Sequence, residues 1–425
     1  MVGSIWKVFG VGMNFRVQAR HRLDLSVKDI LIGVLSCVLP GRREWLEAET
    51  LELCSANNEG LVCYSVRSGW DLWLGACDLQ AGDEVLVSAV THPDMVRIIR
   101  AHGLCAVPVD IDRETLAPLS GTLEAALTPC TRVVLVAHLF GGRMDLTPVA
   151  RFAREHGLHL VEDCAQAFHG PESVGDAAAD LSLYSFGTLK TATALGGAVL
   201  RVRDPGVLRS MREIQNGYPV QRRSWYLKKL LRALGLSLLT KPMPYGLLVR
   251  ACTWLGHDLD ALANGAVRAF PPREPDATFF RRLRHLPSTP LLAVLRWRLR
   301  SFDSRRLARR ASTGERLASR LRIDTMHPGW RALRRTHWLF PVVAPEPEAL
   351  IAGLRHSGLD ASQATSSIAV VEAPIGRSSP SQASLMMSGV VFLPVRPDLP
   401  SKALDTIVAL VNEHAAGRVV ERVAV

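Results

Sequence analysis

Between Gly60 and Asp204, short apolar runs rich in Val, Leu and Ala alternate with stretches whose apolar residues recur every three or four positions. EVLVSAV (Glu84–Val90), CAVPVDID, RVVLVAHLFG (Arg132–Gly141), LHLVEDC, DLSLYSF and GGAVLRV read as strands. PDMVRIIRAHG, TLEAALTP and LTPVARFAREHG read as the helices between them, the first and last ending at a glycine. Apolar strands separated by amphipathic helices predict an α/β fold, with a mostly parallel sheet covered by helices on both faces. Ligands of such sheets bind at the carboxyl ends of the strands, so chemistry is expected just after each strand.

After Asp204 the alternation stops. Residues 205–335 read as helical and basic, and strand signals return at HWLFPVVA and VVFLPV, with PEALIAGLRHSG and a terminal helix from Lys402 completing a small α+β unit. The expected organisation is an N-terminal helical arm (1–50), a large domain (51–205), a basic helical region (206–335) and a small C-terminal α+β domain (336–425). Inside the helical region, Leu231–Gly256 is apolar but broken by Lys241, Pro242 and Pro244. No apolar run reaches the roughly 20 residues needed to span a bilayer. The broken segment either lies on a membrane surface, with Arg222, Arg223, Lys228 and Lys229 just upstream, or forms a pair of buried helices; burial is the favoured reading.

The 425 residues are 48% hydrophobic and 21% charged, which suits a globular chain with a large core and excludes a disordered one. The net charge of +11 is concentrated between Arg273 and Arg335, and an arginine-dense stretch either is a solvated helical face or meets an anionic partner. The eight cysteines are scattered singly without a CxxC pair, so neither a zinc site nor a disulfide framework is indicated, and a cytoplasmic setting fits. The opening MVGSIWKVFGVGMNF lacks the long apolar core and cleavage site of a signal peptide.

Four strand ends carry polar groups. Lys190 stands alone in LYSFGTLKTATALGG, with no acidic neighbour, and an amine tucked among apolar and small residues has a lowered pKa and becomes a candidate nucleophile. Asp163 ends the apolar strand LHLVED, where a carboxylate must be solvated, paired or facing a cationic ligand, and Gln166 follows three residues on. His92 follows EVLVSAV, either as a cap or as a site residue. Ser68 and Gly69 in SVRSGWD mark a helix start suited to phosphate.

The succession SG, GDEV, THP, AHLFG, VEDCAQA, SF(x)3K and GG resembles the DegT/DnrJ/EryC1/StrS family of sugar aminotransferases, pyridoxal-phosphate enzymes of the aspartate-aminotransferase fold (fold type I). The resemblance runs from about Arg22 to the end and is densest between Ser65 and Gly197. It implies that Lys190 is the Schiff-base lysine for pyridoxal 5'-phosphate and that Asp163 pairs with the pyridine nitrogen. By the same resemblance Gln166 contacts the phenolic oxygen, Ser68, Gly69 and Ser185 hold the phosphate, and His92 stacks on the ring. Trp70 stands where the family has the threonine of SGT, and His337 is a candidate substrate contact. The TATAL run departs from the family, and its Gly-x-Asn-x-Arg segment has only distant counterparts in Asn264–Phe270 or STPLLAVLRWRL, beyond an insertion at about 217–263.

The implied activity is transfer of an amino group from an amino acid, glutamate in the leading reading, to a nucleotide-linked keto sugar, by a cytoplasmic homodimer with no nucleic-acid partner. The insertion allows peripheral contact with the inner membrane face. Two alternatives stay open: a pyridoxal-phosphate enzyme acting on another ketone, such as a lipid-linked one, or a non-catalytic, membrane-associated regulatory protein that binds the cofactor. Lys190 argues against the sugar dehydratases of the family, which carry histidine at that position.

Overall fold

The computed structural model describes residues 16–415 except 40, 55, 57–58, 174, 258–275, 323–324 and 364–367. The main sheet has seven strands: β1 (Gly60–Cys63), β2 (Glu84–Ser88), β3 (Cys105–Val109), β4 (Thr131–Ala137), β5 (His159–Asp163), β6 (Leu181–Ser185) and β7 (Ala198–Val202). Their spatial order is β1-β7-β6-β5-β4-β2-β3. From β3 to β6 neighbouring strands are parallel, while β7 runs antiparallel to both β6 and β1. The near-continuous burial of these strands follows from helices on both faces, as their unbroken apolar runs predict. RVVLVAHLFG ends as a strand at Ala137, because Phe140 (φ +59°) and Gly141 (φ +88°) turn the chain.

The covering helices are α1 (Val27–Val38), α2 (Arg43–Leu53), α3 (Val66–Ala76), α4 (Pro93–Ala101), α5 (Ser120–Ala126), α6 (Thr147–Glu155) and α7 (Pro205–Asn216). Then come α8 (Arg223–Leu239), α9 (Pro242–Leu255), α10 (Ala277–Leu283), α11 (Thr289–Arg300) and α12 (Ser304–Ala318). Their starts are chemically marked: Ser26 and Asp29 form a capping box before α1, and Asp204 and Pro205 open α7. α3, α4 and α7 share one apolar core with the sheet, including Trp70, Trp73, Ile98 and Met211. α1, α2, α8 and α11 share another, around Tyr226, Leu230, Leu292 and Leu295. Helices of the expected N-terminal arm and of the basic region thus pack together over one face of the sheet.

The small C-terminal part consists of β8 (Phe340–Val343), α13 (Pro347–His356), α14 (Ser381–Gly389), β9 (Val390–Leu393) and α15 (Ser401–Ala415). β8 and β9 pair antiparallel, over a core that also takes Leu317 of α12.

The apolar insertion forms the helix pair expected of it, but the pair is not buried. Lys241 and Pro242 separate α8 from α9, and each helix buries three residues, among them Leu230 and Tyr245. Leu231, Leu238, Met243, Leu247, Trp254 and Leu255 are exposed. α8 buries one side against α1 and α11, around Tyr226 and Leu230, and α9 buries Tyr245 against Val17 and Ala19, so the remaining apolar residues stay outside. The counterpart sought in Asn264–Phe270 lies outside the described residues; STPLLAVLRWRL contributes most of α11.

Candidate active site

A cavity of about 580 Å³ opens where the carboxyl ends of β5 and β6 meet the N-termini of α3 and α4. Asp163 and Ala165 line it after β5, and Ser185, Gly187, Thr188 and Lys190 line it after β6. Ser65, Val66 and Arg67 enter from the start of α3, and His92 from the cap of α4. One wall is α8, whose Trp225, Lys229, Arg232 and Leu236 repeat at helical spacing along the cavity. That wall is pinned to the segment after Lys190: the Tyr226 hydroxyl donates to Ala194 O at 2.9 Å, and Lys229 Nζ to Leu195 O at 3.3 Å.

Lys190 Nζ sits 4.3 Å from the centre of the Trp338 ring, and Trp338 is itself held by its indole N–H donating to Leu189 O at 2.9 Å. Burial lowers the lysine to about 8; the charge of Asp163 opposes that shift and Arg67 adds to it. About a tenth of such an amine is neutral at pH 7, against well under a thousandth for a free lysine. Asp163 is 7% exposed, and burial raises its pKa although the Ala165 N–H, donating at 2.9 Å, and the Lys190 charge pull it down. An acid so placed is relieved by a cationic group brought into the cavity. His21 stacks on the other aromatic partner, Trp338, at 6.1 Å, and is held neutral by burial, Arg20 and Arg310.

β5 delivers its two adjacent carboxylates to opposite faces. Glu162 is fully buried and accepts from Arg143 at 2.9 Å, the Ser182 hydroxyl at 2.6 Å and the Asp176 N–H at 2.6 Å, with the His138 ring 3.0 Å away. Burial pushes its pKa up, yet His138, Arg143 and Ser182 bring it down to about 2. The same region sets Glu162 within reach of Cys164, but its oxygens are already engaged by donors. This anchoring fixes the strand end from which Asp163 projects.

The residues expected at the phosphate are displaced by one helical turn. Ser65, not Ser68, caps α3: its Oγ accepts the Ser68 N–H at 3.2 Å, and it lines the cavity with Val66 and Arg67. The Ser68 hydroxyl donates to Leu283 O at 2.8 Å. A Cβ on Gly69 would lie 2.5 Å from Leu200, so this glycine serves close packing of α3 on β7. Trp70 is fully buried, stacked on Trp73 at 5.5 Å, with its indole N–H donating to Met95 O at 3.2 Å. The signal that locates Ser65 is the end of the short apolar run GLVC at Cys63, two residues upstream.

His92 lines the cavity, and its Nδ1 accepts the Asp94 N–H at 3.1 Å, which leaves the ring neutral with its proton on Nε2. Arg67 and Arg97 both bond Asp94, at 2.7 and 2.9 Å. Ser185 lines the cavity as well, its Oγ accepting the Gly187 N–H at 3.4 Å. Gln166 is turned to the Phe140 N–H, which donates to its Oε1 at 2.9 Å, and does not line the cavity. His337 is also elsewhere: it is buried against Phe340, with Nε2 2.9 Å from Glu315. Its neighbour Trp338 faces the lysine instead, from a bend ahead of β8 where His337 takes φ +47°. Trp338 and the α8 wall were not legible as site residues, since their contacts join segments far apart in the chain.

Residues 42–237 match the family model for the DegT/DnrJ/EryC1/StrS aminotransferase family. The chain is 37% identical over 149 residues to an L-glutamine:2-deoxy-scyllo-inosose aminotransferase of Streptomyces kanamyceticus, a match covering 34% of each chain. It is 32% identical over 201 residues to a UDP-N-acetyl-3-dehydro-alpha-D-glucosamine 3-aminotransferase of Acidithiobacillus ferrooxidans, covering 44% of this chain and 53% of that one. The chain thus spans between a third and about half the length of these two relatives. The fold is that of the aminotransferase TlmJ from Streptoalloteichus hindustanus, with a TM-score of 0.68 at 19% identity over 94% of this chain and 99% of the other. Residues 42–237, which hold Lys190, Asp163 and the α3 N-terminus, are thus similar to the DegT/DnrJ/EryC1/StrS aminotransferase family.

Proposed function

We propose that the chain is a pyridoxal-phosphate-dependent aminotransferase that moves an amino group from glutamate to a nucleotide-linked keto sugar. The observation that carries this reading is the meeting of Lys190, with its pKa lowered to about 8, and buried Asp163 in one cavity beside a helix N-terminus. The donor set fits the cofactor. Lys190 offers an amine for its aldehyde, Asp163 a carboxylate for its pyridine nitrogen, and Ser65, Ser185 and the first turn of α3 offer donors for its phosphate. Arg67, fixed by Asp94, adds a positive charge on the same side. His92 presents a neutral ring at the cavity wall.

When bound, pyridoxal phosphate supplies an electron-withdrawing ring that makes amino-group exchange between an amino acid and a ketone accessible. Lys190 would hold the cofactor through its amine, and the same amine is the base placed to move a proton within the cavity. Asp163 would pair its charge with the ring nitrogen and favour that nitrogen's protonated form. Trp338 lies against the lysine and limits its swing. Exposed Arg232 and Arg282 at the cavity margin suit the diphosphate of the acceptor. The working form is a homodimer in the cytoplasm.

The test is reduction with borohydride after loading with pyridoxal phosphate, followed by peptide mapping. A stable adduct is expected on Lys190, together with conversion of glutamate to 2-oxoglutarate; Lys190→Ala is expected to lose both. An adduct mapped to another lysine, or glutamate conversion retained by Lys190→Ala, overturns the reading. A screen of keto-sugar nucleotides with glutamate then tests the acceptor class.

A further inference from the structure

We propose that α8 and α9, with α1 beside them, form a face that docks the chain on an anionic lipid bilayer. The first observation is unpartnered apolar surface. Leu231 and Leu238 stand out from α8 at 57% and 52% exposure, and Leu247 and Trp254 from α9 at 57% and 78%. α1 adds Val27, Leu31, Leu35 and Val38, a second exposed stripe at helical spacing. α1 packs closely on α8, since a Cβ on Gly33 would lie 2.7 Å from Leu230. Such clustering of large apolar side chains marks an interaction surface rather than ordinary scatter.

The second observation is charge. Between Gln215 and His257 the chain has seven Lys or Arg and no Asp or Glu. Exposed Arg223, Lys228, Arg232, Lys241 and Arg250 therefore give α8, α9 and their junctions side-chain charges of one sign only. A closed two-fold contact with a second copy would set this positive surface against itself, whereas anionic headgroups complement it. Among the described residues no helix is long and apolar enough to cross a membrane, so the face lies on the surface with its apolar side chains between headgroups.

The third observation is position. α8 presents Trp225, Lys229, Arg232 and Leu236 to the cavity and Leu231 and Leu238 away from it. Docking would therefore bring one wall of the cavity to the membrane. The docking itself does not depend on the reaction carried out in the cavity.

The experiment is co-sedimentation of the full chain with vesicles of phosphatidylcholine alone or with phosphatidylglycerol. Binding is expected only to the phosphatidylglycerol vesicles, falling by about tenfold when salt is raised to screen the headgroups. Leu238→Glu combined with Leu247→Glu and Trp254→Glu, all outside the cavity, is expected to weaken binding by at least about tenfold while borohydride labelling of Lys190 persists. Trp254→Glu alone, at a highly exposed position, is expected to weaken it partially with an unchanged unfolding temperature. No binding to phosphatidylglycerol vesicles at low salt, or binding untouched by these substitutions, overturns the proposal. So does a triple variant that turns a dimer into a monomer in light scattering when the parent chain leaves vesicles in solution, because the face is then a contact between copies. Loss of the Lys190 adduct in the parent chain would instead sink the aminotransferase reading and leave vesicle binding as it is.

Discussion

Two opposing influences meet at Lys190, and they can be separated. Burial and Arg67 lower its pKa, while Asp163 raises it, with the balance at about 8. Capture of pyridoxal phosphate needs the neutral amine, so the capture rate of the cofactor-free protein is expected to rise with pH and level off above about 8. Asp163→Asn removes the charge that holds the proton on, which moves the midpoint down; Arg67→Met removes a charge that repels it, which moves the midpoint up. Rapid-mixing absorbance across pH reads all three, and a common midpoint would show that neither charge acts on the lysine. The two serines of α3 separate in the same way. Ser65→Ala loses an N-cap, about 1 kcal/mol of stability, and is expected to weaken cofactor affinity by on the order of tenfold. Ser68→Ala loses its bonds to Leu283 O and to the Ser65 hydroxyl, also about 1 kcal/mol, and is expected to weaken affinity less than Ser65→Ala in an equilibrium titration.

Elements were more legible than their junctions. Runs such as EVLVSAV and LHLVEDC are short, apolar and bounded by turn residues, and their burial on both faces makes them strands at close to the expected limits. Lys190, Asp163, His92 and Ser185 were legible for the same reason, because each follows a strand that the pattern defines. The SG of SVRSGWD misled because a small residue before glycine looks like a helix start, while the real start is set by where the four-residue strand β1 stops. His337 and Gln166 could not be placed from sequence, since Glu315 and the Phe140 N–H that engage them come from distant segments. The fate of the apolar insertion was equally hidden, as burial depends on how much surface α1, α11 and the segment around Val17 offer it. At the element scale the sharpest test is Gly33→Val. Its side chain would press on Leu230, which is fully buried, and on Val294 at 3.1 Å. The expected loss is about 1–3 kcal/mol in denaturant unfolding, from overpacking of α1 on α8 and α11. An unchanged midpoint would mean that α1 is free to lift from this face.

Across the whole molecule, burial of neutral histidines couples stability to acid. His327 is 8% exposed; burial lowers its pKa from 6.5 to about 4, although its Nδ1 lies 2.8 Å from Pro341 O. His21 and His92 are lowered to about 3, each by burial first and then by a neighbouring arginine. In every case the unfolded chain binds the proton more readily than the folded one. Stability from these groups is therefore complete above about pH 6.5 and drains away as the pH falls towards 4 and 3. Glu162 acts in the same direction lower down, because its carboxylate is held at about 2 and would be protonated more easily when unfolded. The unfolding temperature is expected to fall steadily from pH 7 to pH 4, before most carboxylates titrate. His327→Gln is expected to start lower, having lost its stacking on Phe340 at 4.2 Å. It should also show a shallower slope, by up to about 1.4 kcal/mol per pH unit where His327 titrates. Chemical unfolding of both chains at pH 7, 5.5 and 4.5 measures that slope directly. Parallel lines would place the acid sensitivity in the other histidines and the carboxylates, and a convergence of the two chains towards pH 4.5 would place it in the His327 ring.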